Sequence, residues 1–143
     1  MIKITIPGTP IAKKRPRFAR RGNFVTTYND QQTEEGKALL AIRQQINGHK
    51  PFQDAVFVRA KFIFQRPRSH YGTGRNEGIL KLSAPKFHIK KPDHDNCEKF
   101  IYDILNGEVW RDDSQVVSAI VEKEYCHFLD EPRTEIIIKE YGE

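Results

Sequence analysis

Carboxylates and a lysine are concentrated in two neighbouring stretches of this sequence. Asp93 and Asp95 are separated by one residue, Lys99 follows four residues later, and Asp112 and Asp113 form a second acidic pair about one helix length further on. Mg²⁺ and Mn²⁺ prefer hard oxygen ligands, so carboxylates that meet at one point would suit such an ion. A neighbouring lysine adds positive charge where a substrate phosphate would lie. The two stretches therefore predict a metal site that faces a phosphate.

The predicted helix from 95 to 106 carries polar and apolar residues on opposite sides. Asp95, Lys99 and Asp103 follow one another at intervals of four, so they share one side. The apolar positions have the spacing of a buried stripe and are Cys97, Phe100, Ile101, Ile104 and Leu105. Because that stripe must face a sheet, the acidic side must face water or a ligand.

A purely structural interpretation explains part of this pattern. Asp95 can cap the helix, with Glu98 completing a capping box, and the lysine and last aspartate of the polar side can form a surface ion pair. The acidic pair after Trp110 can be an ordinary turn. Capping does not require Asp93, which follows Pro92 and so enters the helix from an extended backbone.

The cysteines do not indicate a zinc site, a disulfide or a thiol nucleophile. Cys97 lies on the apolar stripe, and Cys126 follows 29 positions later without a C-x-x-C spacing. His88 and His94 lie near Cys97 but fit no standard tetrahedral set. Buried thiols in a reducing compartment are the expectation.

Positive charge is concentrated at the beginning of the chain. The net charge is +5, yet the first 28 residues hold seven Lys and Arg and no acid, while the other 115 sum to −2. Such a segment is typical of a polyanion-binding surface, because neutralised phosphates release counterions. A basic tail that only aids solubility is the alternative. The residues predicted to contact nucleic acid here are Lys13, Lys14, Arg15, Arg17, Arg20 and Arg21.

The predicted architecture is a single α+β domain over residues 1–143, with one mixed or antiparallel sheet and two helices on one face. The element order is strand, helix, strand, helix, strand, strand. Alternating apolar residues predict strands at 2–6 and 56–64, and an apolar stripe predicts a helix that begins between 29 and 33 and ends at 46. The β-branched stretches 116–125 and 133–141 suggest an antiparallel hairpin.

Two long segments outside these elements are predicted to be loops, a basic one at 7–28 and a flexible one at 67–92. The chain shows no signal-peptide pattern and no apolar run of membrane-spanning length, so a soluble protein of the cytoplasm, without a membrane partner, is expected.

Residues 91–115 resemble a known enzyme family. Written K-P-D-x-D-N-x-x-K-x-x-x-D-x-L-N-G-x-x-W-x-D-D-S-Q, they are similar to the RusA family of Holliday junction resolvases, small endodeoxyribonucleases common in phages and prophages. The resemblance extends to the K-x-R-P-R pattern at 13–17 and to Lys123 on the strand after the acidic turn. Residues 67–87 match no motif of the family.

The resemblance implies a RusA-like fold and specific roles. Asp93, Asp95 and Asp113 would hold one or two Mg²⁺ ions, with Mn²⁺ as a possible substitute, and Lys99 would be the catalytic lysine. Further DNA contacts would come from Lys91 and Lys123, and supporting residues around the site would be Asn96, Asp103, Asp112 and Gln115.

The implied activity is Mg²⁺-dependent, paired phosphodiester cleavage of four-way DNA junctions by a homodimer in recombination and repair. A bacterial host, with a phage or prophage gene as one possibility, is implied as well. Two alternatives stay open at this point: a metal-dependent nuclease for forks or flaps, and a noncatalytic nucleic-acid-binding protein.

Overall fold

Four strands and two helices match the predicted elements, and two further strands lie in the basic segment. The computed structural model describes residues 1–14, 17–22, 24–28, 32–127 and 130–142. Its elements in chain order are β1 (Ile2–Pro7), β2 (Arg17–Arg21), β3 (Phe24–Tyr28), α1 (Gln32–Ile46), β4 (Val56–Phe64), α2 (His94–Leu105), β5 (Val116–Tyr125) and β6 (Arg133–Glu140). The arrangement is an α+β single domain, as predicted.

The main sheet is mixed and has the strand order β1-β6-β4-β5. β6 runs antiparallel to both β1 and β4, with Ile4 and Ala60 on either side of Ile136. β4 and β5 run parallel, with Val58 opposite Ala119. Parallel neighbours need a long crossover connection, and α2 lies within that connection.

The predicted hairpin between 116–125 and 133–141 is wrong, because β4 separates β5 from β6. Burial explains the order. β4 and β6 bury residues such as Phe62 and Ile138 completely, so they take the two inner positions of the sheet. β5 leaves Val117 and Ile120 exposed and occupies an edge.

The prediction of an irregular loop over residues 7–28 is also wrong in part. β2 and β3 form a separate antiparallel pair, in which Arg17 lies opposite Tyr28 and Arg21 opposite Phe24. Gly22 in the turn has a φ of +61°, which glycine adopts without steric cost. This ribbon depends on backbone pairing around a turn, and so its sequence carries no strong period-two pattern.

Both helices cover the same face of the sheet, as predicted. The apolar residues of α1 and α2 share one buried cluster with alternate residues of β1, β4 and β6. Each member of the predicted stripe of α2 is buried: Cys97, Phe100, Ile101, Ile104 and Leu105. Burial raises the pKa of the Cys97 thiol to about 11, which fits an inert core residue.

Trp110 fixes the connection between α2 and the acidic turn. Its side chain is fully buried, and its indole N–H donates to Asn106 Oδ1 at 2.6 Å. Gly107, at a φ of +81°, donates its N–H to the Trp110 carbonyl at 2.8 Å. The L-N-G-x-x-W stretch is thus a compact connection that delivers the chain to Asp112 in a defined position.

The segment 67–92 contains two short 3₁₀ turns, Arg68–His70 and Gly74–Asn76, and its flexibility stays a prediction. Its base is fastened to the sheet. The Arg66 guanidinium donates to the Cys126 carbonyl at 2.7 Å and to the Pro85 carbonyl at 2.6 Å, and the Tyr125 N–H donates to the Lys86 carbonyl at 2.9 Å. Within the described ranges, no helix combines the length and the apolar character that a bilayer crossing requires.

His88 is buried at this fastened end of the segment. Its ring stacks on Phe64 at 3.8 Å between centroids, and its Nδ1 lies 3.3 Å from the Lys123 ammonium. An ammonium can only donate, so Nδ1 must be the acceptor and the imidazole must be neutral. Burial, and next the charge of Lys123, lower the pKa of His88 below its ordinary value of 6.5.

We expect the protein to lose stability as the pH falls from 7.5 to 5.5. Because the pKa of His88 is lower in the folded state, its contribution is present above pH 6.5 and is lost as the pH falls through the folded value. His88→Phe keeps an aromatic ring on Phe64 but removes the titration, so its unfolding free energy in urea should fall less. Part of the loss will persist, because burial also lowers the pKa of His70. Equal losses in the two proteins would contradict the assignment, and His49→Gln, at an exposed position, is the control.

Candidate active site

Asp93 is the residue from which α2 begins. Its backbone is extended, with φ −70° and ψ 149°, and its side chain makes no capping hydrogen bond. The structural interpretation in which Asp95 caps the helix and Glu98 completes a capping box is therefore wrong, because Asp95 lies inside the first turn instead of at the cap. The Asp93 carboxylate is exposed and remains available to a ligand.

Asp95 and Lys99 project from α2 without forming an ion pair or side-chain hydrogen bond within the part of the chain that the structure describes. Both are exposed. Asp95 lies in the first turn, where the partial positive charge of a helix N-terminus favours a carboxylate. The start of α2 therefore presents the carboxylates of Asp93 and Asp95 to solvent, and the ammonium of Lys99 lies one turn after Asp95.

The two aspartates of the turn before β5 have different roles. Asp112 caps the 3₁₀ turn Asp113–Gln115, because its Oδ2 accepts from the Ser114 N–H at 3.0 Å. A hydrogen bond from the Ser114 side chain, and next the one from its backbone N–H, lower the pKa of Asp112. Asp113 is half-buried, and among the described residues its carboxylate has no hydrogen-bond or ion-pair partner. The turn interpretation thus accounts for Asp112 and leaves Asp113 available.

Gln115 fastens this turn to the residues before β4. Its Oε1 accepts from the backbone N–H groups of Arg111 at 2.7 Å and Asp112 at 3.2 Å. Its Nε2 donates to the carbonyls of Phe52 at 2.9 Å and Asp54 at 3.0 Å. The amide oxygen thus accepts two hydrogen bonds and the amide nitrogen donates two. Gln115 therefore fixes the backbone of the turn that carries Asp113.

Asp113 meets α2 at the level of its second turn. Together with Glu98, Tyr102 and residues 116–119 it lines an open cleft of about 360 Å³. The Tyr102 hydroxyl is buried there beside the carboxylate of Glu98. Burial raises the pKa of Tyr102, and the negative charges of Glu98 and Asp113 raise it further.

Glu98 is the residue of this region to which the sequence assigned only a capping role. It follows Asp95 by three positions, which places the two side chains on neighbouring parts of the helix surface, and it shares the cleft with Asp113. Carboxylates therefore follow the start of α2 from Asp93 and Asp95 to Glu98, and Glu98 shares its cleft with Asp113. The i, i+3 spacing was the signal that could have identified it.

The donor types of these four residues suit a divalent ion, because each is a hard carboxylate oxygen. Asp93, Asp95 and Asp113 have no protein partner among the described residues. They are not gathered into one cage. Over the described ranges, no three His, Cys, Asp or Glu side chains converge closely enough to hold a metal ion. A shared ion would require rotation of these solvent-accessible side chains.

Lys13 attaches the basic segment to α2. Its ammonium lies 3.0 Å from Asp103 and 3.4 Å from Glu35, and its backbone N–H donates to the Asn96 carbonyl at 2.9 Å. The hydrogen bond that the Lys13 ammonium donates to Asp103 is the largest cause of the raised pKa of Lys13. The ion pair expected between Lys99 and Asp103 in the structural interpretation is therefore replaced by one between Lys13 and Asp103. Asn96 and Asp103 support the site by holding this segment.

The other cations predicted to contact DNA occupy different environments. Lys14 and Lys91 are exposed, while Lys123 directs its ammonium at the carbonyls of Lys90 and Pro92. Arg15 lies outside the described residues, and so do the side chains of Arg17, Arg20 and Arg21, whose backbones belong to the ribbon.

Comparisons with known proteins cover nearly the whole chain. The model of the family described as Endodeoxyribonuclease RusA matches residues 7–139, which include the basic segment, α2 and the acidic turn. The chain is also similar to a Bacillus subtilis (strain 168) protein named "Uncharacterized protein YqaN", at 31% identity over 147 residues, covering 97% of this chain and 96% of that protein.

We expect Gln115→Ala to destabilise the protein by about 1–2 kcal/mol, because four hydrogen bonds in exposed or part-buried positions are lost and each has a net worth of about 0.5–1.5 kcal/mol at most. Urea unfolding monitored by the fluorescence of Trp110 would measure the change. Asp54→Ala is the matched control, because it removes an exposed side chain beside the same turn and keeps the carbonyl that accepts from Gln115. It should stay within about 0.5 kcal/mol of the original protein. Equal effects of the two substitutions would contradict the role of the Gln115 amide.

Proposed function

Because the chain belongs to the RusA endodeoxyribonuclease family, we propose that it resolves Holliday junctions by Mg²⁺-dependent cleavage of one phosphodiester in each of two strands. The cellular context proposed is DNA recombination and repair in the bacterial cytoplasm, from a chromosomal or phage gene. The observation that carries the proposal is the set of carboxylates of Asp93, Asp95 and Asp113, which, like the Lys99 ammonium on the same helix, have no ion-pair or hydrogen-bond partner among the described residues.

Mg²⁺, with Mn²⁺ as a substitute, is the proposed cofactor, held by Asp93, Asp95 and Asp113. Bound there, the ion supplies the positive charge that activates water and stabilises the phosphate oxygens in hydrolysis. Glu98 stands between the two ends of this set and adds a fourth carboxylate to its electrostatic field. Three or four neighbouring carboxylates repel one another, which favours binding of a cation over the empty arrangement.

Lys99 is proposed to contact a phosphate oxygen. It lies one helical turn after Asp95 on the exposed side of α2, and its ammonium has no carboxylate partner among the described residues. An ammonium at this point offsets the charge that develops on the phosphate during displacement. Asp103, the carboxylate that could have neutralised it from the next turn, is paired with Lys13 instead.

The basic segment is proposed to bind the DNA backbone and to lead it to the acidic site. Lys13 joins the segment to α2 through Asp103 and the Asn96 carbonyl, so the cations that follow Lys13 begin beside the catalytic helix. Lys91 adds an exposed positive charge immediately before Asp93. Electrostatic contacts of this kind give affinity with little sequence preference.

A homodimer is the proposed active form. A four-way junction has approximate two-fold symmetry, and two strands must be cut to resolve it. An isologous dimer would present two identical sites to two symmetry-related strands. Sedimentation at micromolar concentration, with and without junction DNA, would measure the assembly.

We expect Asp93→Asn to abolish cleavage, by at least about 100-fold, because one carboxylate of the ion site is lost. Asparagine suits a helix N-cap as well as aspartate does, so folding and junction binding should be retained. The measurement is Mg²⁺-dependent cleavage of a synthetic four-way junction beside matched fork, flap, duplex and single-stranded DNA.

Asp54→Asn is the matched control for this substitution. It removes an exposed carboxylate near the turn of Asp113, and this carboxylate forms no side-chain contact among the described residues. Cleavage by Asp93→Asn at the original rate would remove Asp93 from the site. Faster cleavage of forks or flaps than of junctions would replace the proposed substrate. Binding without cleavage of any substrate would identify a noncatalytic DNA-binding protein.

We expect the double substitution Arg20→Gln and Arg21→Gln to weaken junction binding and to reduce the slope of log affinity against log salt by roughly two, about one for each lost phosphate contact. Binding would be measured in Ca²⁺ over a series of salt concentrations. Arg59→Gln is the control. Arg59 lies on β4 between two core residues, so it faces the side of the sheet that the helices do not cover, and it pairs with Glu122 at 3.1 Å. An unchanged slope in the double variant would show that the ribbon does not contact phosphates.

A further inference from the structure

Lys123 lies on β5 with its ammonium surrounded by acceptors of one neighbouring segment. Its Nζ donates to the carbonyls of Lys90 at 2.7 Å and Pro92 at 2.8 Å, and it lies 3.3 Å from Nδ1 of His88. A lysine ammonium has three N–H donors, and three acceptors surround this one. No donor is left over for a DNA phosphate.

The acceptors of Lys123 are themselves held in place. His88 stacks on Phe64 at 3.8 Å and meets Tyr125 edge-on at 5.1 Å, and its backbone N–H donates to the Lys123 carbonyl at 3.4 Å. Phe87 forms a β-bridge with Glu124. The segment before α2 therefore runs along the outer edge of β5, and Lys123 ties its last residues to that edge.

The two carbonyls bracket Lys91 and come directly before Asp93. The Pro92 carbonyl belongs to the peptide that joins Pro92 to Asp93, so its position also sets the position of the Asp93 backbone and the direction in which α2 begins. Hydrogen bonds from a charged donor are stronger than those between neutral groups. Without Lys123, both carbonyls would lose such a partner at the point where the chain must change from extended to helical.

The Lys123 ammonium also lies close to the acidic site, on the side of the sheet strand β5. Cys97 is fully buried in the first turn of α2, and the charge of Lys123 lowers the pKa of its thiol while the charges of Asp93 and Asp95 raise it. The ammonium thus approaches the first turn of the helix from the sheet, while the carboxylates leave it toward solvent. It offsets part of their mutual repulsion without forming an ion pair with either.

We propose that Lys123 is a positioning residue, which holds residues 90–92 so that Asp93 and Asp95 are presented together, and that it is not a DNA contact as its resemblance to a family lysine had suggested. This inference rests on the proposed function for its effect on catalysis. Its structural part, the fixing of residues 90–92, stands independently of any activity.

Lys123→Met tests the inference against Lys91→Met, in which an exposed lysine between the same two carbonyls is removed. In the free protein, amide hydrogen exchange over residues 88–97 should accelerate about tenfold or more in Lys123→Met and stay unchanged in Lys91→Met. In Ca²⁺, the salt slope of junction binding should be unchanged in Lys123→Met and should fall by about one in Lys91→Met. The Mg²⁺ concentration for half-maximal cleavage should rise about 10-fold to 100-fold in Lys123→Met, as is usual for residues that orient metal ligands.

Lys123→Gln serves if the methionine variant does not fold, because an amide retains two N–H donors for the carbonyls while removing the charge. A positioning residue predicts an unchanged salt slope and a smaller acceleration of exchange in this variant. A slope reduced by about one with unchanged exchange, in either Lys123→Met or Lys123→Gln, would overturn the inference and make Lys123 a phosphate contact. If the original protein cleaves no DNA, the proposed function fails, while the hydrogen-exchange comparison still decides whether Lys123 holds residues 90–92.

Discussion

The parallel pairing of β4 with β5 is the constraint on which the candidate site depends. Parallel neighbours need a crossover, and here the crossover consists of the segment 67–92, α2 and the acidic turn. The helix begins beside the second half of β5, where Lys123 meets Pro92, and the turn that carries Asp113 leads into the first residue of the same strand. One pair of strands thus determines where both groups of carboxylates lie.

Charged residues in this region fall into two groups, those used by the fold and those left to solvent. Asp103 pairs with Lys13, Asp112 caps a turn and Lys123 holds two carbonyls. Asp93 and Asp113, by contrast, carry carboxylates without partners in the described part of the chain. The first group explains why the site has its shape, and the second supplies groups that a metal ion or a phosphate can use. Adjacent positions in one motif thus serve different purposes.

Periodicity predicted those features of the fold in which burial alone decides the structure. The stripe of α2 is buried at each expected position, and the alternation in 56–64 predicted a strand that lies in an inner position of the sheet. The strand neighbours were not predictable in this way, since β-branched content in 116–125 and 133–140 indicates strands without saying which strand each one joins. The ribbon of β2 and β3 was missed because backbone pairing around Gly22 needs no alternating pattern.

The sequence by itself determined the chemistry of the site, because residue types and local spacing place Asp93, Asp95 and Lys99 on the exposed side of a helix whose other side must be buried. Only the tertiary structure decided which of these groups remain available and which neighbours they have. It brought Asp113 to Glu98 rather than to the first turn of α2, and it joined Lys123 to the carbonyl before Asp93. Such contacts join residues that are distant in the chain, and they follow from the order of strands in the sheet, which local sequence patterns do not encode.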